Sequence, residues 1–243
     1  MGSQKMDLIV SPMAHAPQNL ALEDFYAEKG ASVLLVHRDS PCLSIGMGQA
    51  LDKEVDLDAA MRMGVDFVQR KTGGGAVYRD EGCLCWSFVN TCGTRRSIVE
   101  WVISALASLG VVVAHNGRND LLWERRKVAG TAWSSDEGRT VFHGTLLFST
   151  DIGKMNRLLT PKRSRYPVAE LASASSRVAN LSRAFPGVTV DTFQKEFVSA
   201  LSTQMESDGM AVRRREPTDD EIEASATAAE RFAIDPAAAF AMR

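Results

Sequence analysis

The stretch RKTGGGAVYRDEGCLCWSF, residues 70–88, sets two strand-like runs, 76–79 and 84–89, behind the glycine triplet Gly73-Gly74-Gly75. Another strand is expected at 66–70, so three strands follow one another with no helix between them. Upstream, Leu22, Phe25 and Tyr26 fall at helical spacing behind Asn19, which reads as the helix cap. Next, the apolar runs 32–37 and 42–45 flank Arg38-Asp39-Ser40-Pro41, turn chemistry that predicts a hairpin. Downstream, Ser97-Ile98-Val99-Glu100 has capping-box spacing, and Ile98, Trp101, Val102, Ala105, Leu106 and Leu109 form an apolar stripe that stops at Gly110. Strands are then expected at 111–114, 121–123, 128–134 and 140–148, followed by a helix over 190–201 with Phe193, Phe197 and Leu201 on one face. Strands interleaved irregularly with few helices lack a regular βαβ rhythm. The expected class is therefore α+β, with mixed or antiparallel β-sheets packed against the helices.

From residue 216 the chain changes character. Glu216-Pro217-Thr218-Asp219-Asp220 reads as a helix start and an alanine-rich tail follows, so a main domain over 1–215 and a helical tail over 216–243 are expected. The 243 residues carry 28 Lys+Arg against 30 Asp+Glu, a net charge of -2, which leaves no global field to collect nucleic acid or an anionic membrane. Apolar residues at 45% and charged residues at 24% exclude a disordered chain. No apolar run has membrane-spanning length and the N-terminus has no signal-peptide core, so a cytoplasmic location is expected. The four cysteines, Cys42, Cys83, Cys85 and Cys92, form no paired C-x2-C clusters and read as reduced thiols, Cys83 and Cys85 sharing one side of a strand.

The triplet has two readings. It is a turn between strands, or an anion loop whose amides face a phosphate with Arg70 and Lys71 in front of it. Neither the Walker spacing nor the dinucleotide spacing is present. A second constellation is NGRNDLLWERRKVAGTA (116–132) with HGTLL (143–147), in which Lys127 stands beside the small residues Ala129, Gly130 and Ala132. Small side chains there permit a ligand to approach the backbone.

These blocks, with NLALED (19–24), SIGMGQ (44–49) and SRVANL (176–181), resemble the lipoate-protein ligase family of the biotin/lipoate ligase and octanoyltransferase superfamily, in collinear order over roughly residues 8–205. The resemblance implies a catalytic domain like those of class II aminoacyl-tRNA synthetases and biotin-lipoate ligases. It implies ATP-dependent activation of lipoate or octanoate to an acyl-AMP, then transfer to the lysine of a lipoyl carrier domain. The carrier would be a 2-oxoacid dehydrogenase E2 or a glycine-cleavage H-type protein. By the same resemblance, Lys127 is the catalytic residue, and the nucleotide and acyl group lie against Arg70, Gly73, Gly74, Gly75, Ala76, Val77, Tyr78, Asn119, Asp120, Gly130, Thr131, Ala132, His143 and Gly144. Asp120 would hold Mg2+, and His143 would buttress the site.

Three positions depart from the family's pattern. Lys71 replaces a second arginine, Arg79 replaces a histidine and Cys83 replaces an asparagine, which bears on adenylate affinity and acyl preference. The length leaves no room for the family's small accessory domain, so a separate polypeptide supplying it is an expected partner, against a self-sufficient chain. An ATP-independent acyltransferase of the same superfamily needs a cysteine nucleophile. None lies between Cys92 and the C-terminus, which favours the ligase unless Cys83 or Cys85 faces the pocket. A degenerate acyl-adenylate binding module is the remaining alternative.

Overall fold

The computed structural model describes residues 4–91, 93–117, 119–161 and 176–237; Cys92, Arg118 and the last six residues of the expected tail lie outside them. The strands are β1 (Gln4–Val10), β2 (Val33–His37), β3 (Cys42–Ile45), β4 (Asp66–Gln69), β5 (Val77–Arg79), β6 (Cys83–Val89), β7 (Ala114–His115), β8 (Asp120–Trp123), β9 (Arg126–Asp136), β10 (Arg139–Leu147) and β11 (Met210–Arg214). The helices are α1 (Ala16–Glu28), α2 (Leu51–Glu54), α3 (Leu57–Arg62), α4 (Arg95–Ser108), α5 (Ile152–Leu158), α6 (Val190–Ser207) and α7 (Asp219–Ala228). Eight strands form one sheet in the order β11-β1-β2-β6-β10-β9-β8-β7, and β4-β3-β5 form a second. β1 runs parallel to β11 and β2, and β3 parallel to β4; all other pairings are antiparallel. The α+β class with mixed sheets expected from the sequence is the class found.

Strand β6 explains the layering. Its seven residues are all buried, and alternate side chains serve different cores. Leu84, Trp86 and Phe88 join the large core under α4 and α6, where Ile98, Trp101, Phe193, Phe197 and Leu201 pack. Cys83 and Cys85 face the second core with Leu43, Ile45, Phe67 and Tyr78 of the small sheet. Helix α1 covers a third cluster, in which Leu22 and Tyr26 meet Ile9, Leu35 and Val89.

Three local expectations are corrected. The runs 32–37 and 42–45 are not a hairpin: β2 pairs with β1 and β6, while β3 pairs with β4 and β5. The intervening turn is a corner between sheets, pinned by the fully buried Asp39 carboxylate, which accepts from Asn19 Nδ2 at 2.8 Å and lies 3.0 Å from His37 Nδ1. Asn19 is accordingly no cap. Helix α1 starts at Ala16 after His15, with a proline in its first turn, where a missing N–H costs nothing. Helix α4 is capped by Thr94, whose side chain accepts from the Ser97 amide, three residues before the expected capping box.

The helix start predicted near 218 holds, with Thr218 and Glu221 forming a reciprocal capping box. Packing continues across residue 215. Tyr26 of α1 donates to Glu221 at 3.0 Å, and Ile234 N donates to Phe67 O at 2.8 Å. Among the described residues no helix is long and apolar enough to cross a membrane.

Candidate active site

Strand register assembles the site. One rung of the large sheet runs His37–Cys85–Thr145–Gly130–Asp120 across β2, β6, β10, β9 and β8, and the rung two residues along, on the same face, runs Ser87–His143–Ala132. All of these residues line one cavity of about 790 Å³, roofed by α1 (Leu20, Glu23), by the glycine loop between β4 and β5, and by Arg79. Asn116, Gly117 and Asn119 are exposed at one end, and His37, Arg79 and Cys85 are buried at the other.

Of the residues expected at the site, Lys127, Arg70, Gly74, Gly75, Ala76, Val77, Asn119, Asp120, Gly130, Thr131, Ala132, His143 and Gly144 line this cavity, and Gly73 and Tyr78 do not. Tyr78 instead faces an adjoining pocket of about 140 Å³ that shares Ala76, Val77, Lys127 and Gly130 with the first.

Lys127 Nζ lies 2.7 Å from Asp120 Oδ1, and Asn116 Nδ2 donates to Asp120 Oδ2 at 3.1 Å. Segment 177–179 fixes the Lys127 backbone on its free side, the Lys127 amide donating to Arg177 O at 2.8 Å and Ala179 N to Lys127 O at 2.9 Å. A Cβ at Gly130 would come within 3.1 Å of Lys127 Nζ, so the glycine three residues on leaves room for the ammonium.

The glycine loop is held from inside. Arg70 is 5% exposed; its Nε and Nη2 donate to Gly73 O at 3.2 and 2.8 Å, its Nη2 also to Gly75 O at 2.7 Å, and its Nη1 to Ser44 O at 3.0 Å. The guanidinium thus fixes the loop carbonyls, with Gly74 in left-handed backbone at φ +89°. Burial, with the charge of Arg79 nearby, brings Arg70 down to about 10. His143 is a brace: its Nε2 meets Thr72 Oγ1 at 2.8 Å and its Nδ1 meets Glu23 Oε2 at 3.1 Å. Ser87 donates to the same Glu23 oxygen.

At the inner end, Arg79 and Cys85, singled out in the sequence as a departure from the family pattern and as a thiol that could face the pocket, do line the cavity, whereas Glu23, His37, Ser44, Ser87 and Thr145 were not expected there. Asn19 and Glu23 are polar residues four apart on the buried side of α1, a signal that could have marked that face as lining a site. Arg79 Nη1 stands 3.1 Å from Asp39 Oδ2 and 3.9 Å from Cys85 Sγ. Burial pushes the Asp39 carboxyl up, but Arg79 and His37 outweigh it and hold the group well below the usual carboxylate range. The Cys83 thiol's hydrogen bond, with His37 and Arg79, pulls the Cys85 thiol down against the effect of burial.

Among the described residues the cavity lining carries four cations, Arg70, Arg79, Arg95 and Lys127, and two carboxylates, Glu23 and Asp120, with Asp39 set behind Arg79 as its counter-ion. Such a balance suits an anionic ligand. Residues 13–202 match the family model of the lipoyl protein ligase A/B catalytic domain. The chain belongs to that family.

Relatives include lipoate-protein ligase A of Blochmanniella pennsylvanica (strain BPEN), 33% identical over 70% of this chain and 53% of that protein, and lipoate-protein ligase LplJ of Bacillus subtilis (strain 168), 34% identical over 68% and 52%. The chain spans about half the length of these curated relatives. Solved structures with the same fold include P. falciparum LipL1 in complex with lipoate (TM-score 0.78, 22% identity, 93% of this chain and 71% of that one). A bi-partite lipoate protein ligase from Thermoplasma acidophilum, studied with its E2 lipoyl domain, has TM-score 0.75 and 24% identity over 95% and 93%. A lipoate-protein ligase A bound with ATP has TM-score 0.75 and 23% identity over 95% of each chain.

Proposed function

We propose that this lipoyl protein ligase A/B catalytic domain activates lipoate or octanoate with ATP to the acyl-AMP and passes the acyl group to the lysine of a lipoyl carrier domain. The carrying observation is the Lys127–Asp120 pair, 2.7 Å apart, on the wall of a cation-rich cavity opposite the Arg70-braced glycine loop. In the first step the acyl carboxylate attacks the α-phosphorus of ATP and pyrophosphate leaves. Lys127 supports this step as a fixed cation between the two anions. In the second step the carrier amine attacks the acyl carbonyl and AMP leaves, and Lys127 steadies the developing oxyanion. Amides of the glycine loop suit the phosphates, while Arg70 acts by fixing that loop.

The donor set fits Mg2+ held largely by phosphate oxygens: Glu23 is buried against His143 and Ser87, whereas Asp120, on the more open side of the cavity, would take the ion by giving up its contact with Lys127 or Asn116. Asp120 would hold the ion, which supplies countercharge to the phosphates. The carrier reading, a 2-oxoacid dehydrogenase E2 or glycine-cleavage H-type protein, and a separate accessory chain that completes adenylation both draw on the family. The bi-partite ligase from Thermoplasma acidophilum supports the second.

Cys85 on the cavity wall favours a second reading, ATP-independent transfer between carrier proteins: the Cys85 thiolate takes the acyl group from an acylated carrier, whose thiol leaves, and the lysine amine of the acceptor carrier then displaces Cys85. Mass spectrometry of a lipoyl carrier domain incubated with the chain separates the two, in one reaction with lipoate, ATP and Mg2+ and in a second with an acylated carrier-protein thioester and no ATP. Under the ligase reading the mass gain requires ATP, falls at least about 100-fold in Lys127→Ala, and survives Cys85→Ser. Gain without ATP that is lost in Cys85→Ser establishes the thioester route instead. No gain until an accessory polypeptide is added identifies the chain as one half of a two-chain ligase.

A further inference from the structure

The buried end of the cavity carries a guanidinium with unmet donors. Arg79 lines the cavity at 5% exposure, and its Nε and Nη2 have no hydrogen-bond partner. A buried donor left unpaired is costly, so such a pair at the end of a cavity marks a place for an acceptor. The neighbours do not fill the role. Asp39 faces Nη1 at 3.1 Å, the Cys85 thiol lies 3.9 Å from the same nitrogen, and the Cys42 thiol, opposite Arg79 in the β3–β5 pair, offers only a weak acceptor. His37, Asp39 and Cys85 offer ligand atoms within 4.8 Å of one another. The cation is already in that cluster, because Arg79 occupies the side of Asp39 that a metal would need.

The distance from the reacting end follows from the sheet. Gly130, which makes room for Lys127 Nζ, and Cys85, beneath Arg79, lie on one rung two strands apart. At the usual strand spacing that is roughly 10 Å, comparable to an extended eight-carbon acyl chain. The exposed residues Asn116 and Asn119 mark the opposite end as the mouth, so a chain whose carboxyl lies at Lys127 points its far end at Arg79.

We infer that Arg79 forms a polar subsite at the end of the acyl channel, which selects acyl chains carrying a hydrogen-bond acceptor at their far end over plain hydrocarbon chains of the same length. The dithiolane sulfurs of lipoate are weak acceptors of this kind, whereas the methyl end of octanoate leaves Nε and Nη2 unmet. The inference rests on the acyl-activating reading given above.

The test is calorimetric titration of the full chain with octanoate, ω-hydroxyoctanoate and lipoate, alongside kinetics of ligation to a carrier domain. The unsubstituted chain should bind ω-hydroxyoctanoate and lipoate roughly tenfold more tightly than octanoate. Since Arg79→Leu strands the Asp39 charge, the double substitution Arg79→Leu/Asp39→Asn is measured beside Arg79→Lys, which keeps the charge without Nε and Nη2. In both, the advantage over octanoate should vanish, with the change in KM for the acid and not in kcat. Equal binding of all three acids by the unsubstituted chain, or an advantage that persists in both variants, overturns the subsite while ligation still supports the acyl-activating reading. Binding of none of the acids overturns that reading and the subsite with it.

Discussion

Gly144 shows how a single hydrogen atom can decide packing in this site. A Cβ there would come 2.3 Å from Cζ2 of Trp86, and the indole cannot retreat, since it is fully buried with Phe88 and Phe142 edge-on at 5.8 and 5.7 Å. Gly144→Ala should therefore cost about 1–3 kcal/mol, read as a lower urea midpoint at unchanged slope. A variant as stable as the parent would mean that the ring yields. At this scale the sequence was most informative where chemistry sits in a contiguous block. Lys127, Gly130 and Thr131 occupy one strand, and Asp120 meets Gly130 across the neighbouring one. Arg79, His37 and Cys85 come from three strands of two sheets, so no spacing in the chain brings them together. Arg70 was legible as a cation at the loop, but its role was not. The carbonyls it holds belong to Gly73 and Gly75, and only the folded loop turns them toward it.

The corner between β2 and β3 illustrates what turn chemistry leaves open at the scale of elements. Polar residues and a proline mark a reversal, yet a hairpin and a step between two sheets have the same local signature. The choice rests on Asp39, whose partners Asn19 and Arg79 lie in α1 and β5. Its carboxyl is depressed in the folded chain relative to an unfolded value of about 4. The stabilisation is therefore complete above that value and is lost as pH falls through the folded one. Asp39→Asn leaves the buried Arg79 without its counter-ion and should cost about 3–5 kcal/mol at neutral pH. The difference from the parent should shrink on acidification below pH about 4, as the parent alone loses this contribution. Urea unfolding of both proteins from pH 7 to pH 3 tests this, and a constant difference would show that Asp39 is not the ionised anchor of the corner. Helices with strong periodicity, α4 and α6, were legible because their stripes meet the core directly; β11 was not, since its five residues MAVRR become a strand only beside β1.

On the scale of the whole molecule the sequence suggested a boundary near residue 215, where composition changes. Contacts join the two sides. Arg215 bridges Asp7, at 2.6 Å, and both oxygens of Glu221, at 2.8 Å, while Tyr26 donates to Glu221. Beyond α7, Phe232 is buried with Ala16, Leu20 and Val68, and the chain hydrogen-bonds along β4 through Phe232 O and Ile234 N. Leu20 and Glu23 of the same α1 line the cavity, so the segment after 215 supports the roof of the site from behind. A chain ending at Arg215 loses burial of the Phe232 ring, worth about 1.5–3 kcal/mol, together with the Glu221 contacts. Its melting temperature should fall by on the order of 10 °C. Because the loss falls on α1, the lipoate binding expected under the proposed function should weaken even at temperatures where the shortened chain remains folded. Melting followed by circular dichroism and lipoate titration at low temperature measure the two effects separately. A truncated chain with unchanged melting and unchanged lipoate affinity would mean that residues 216–243 form an independent appendage, as their composition alone suggests.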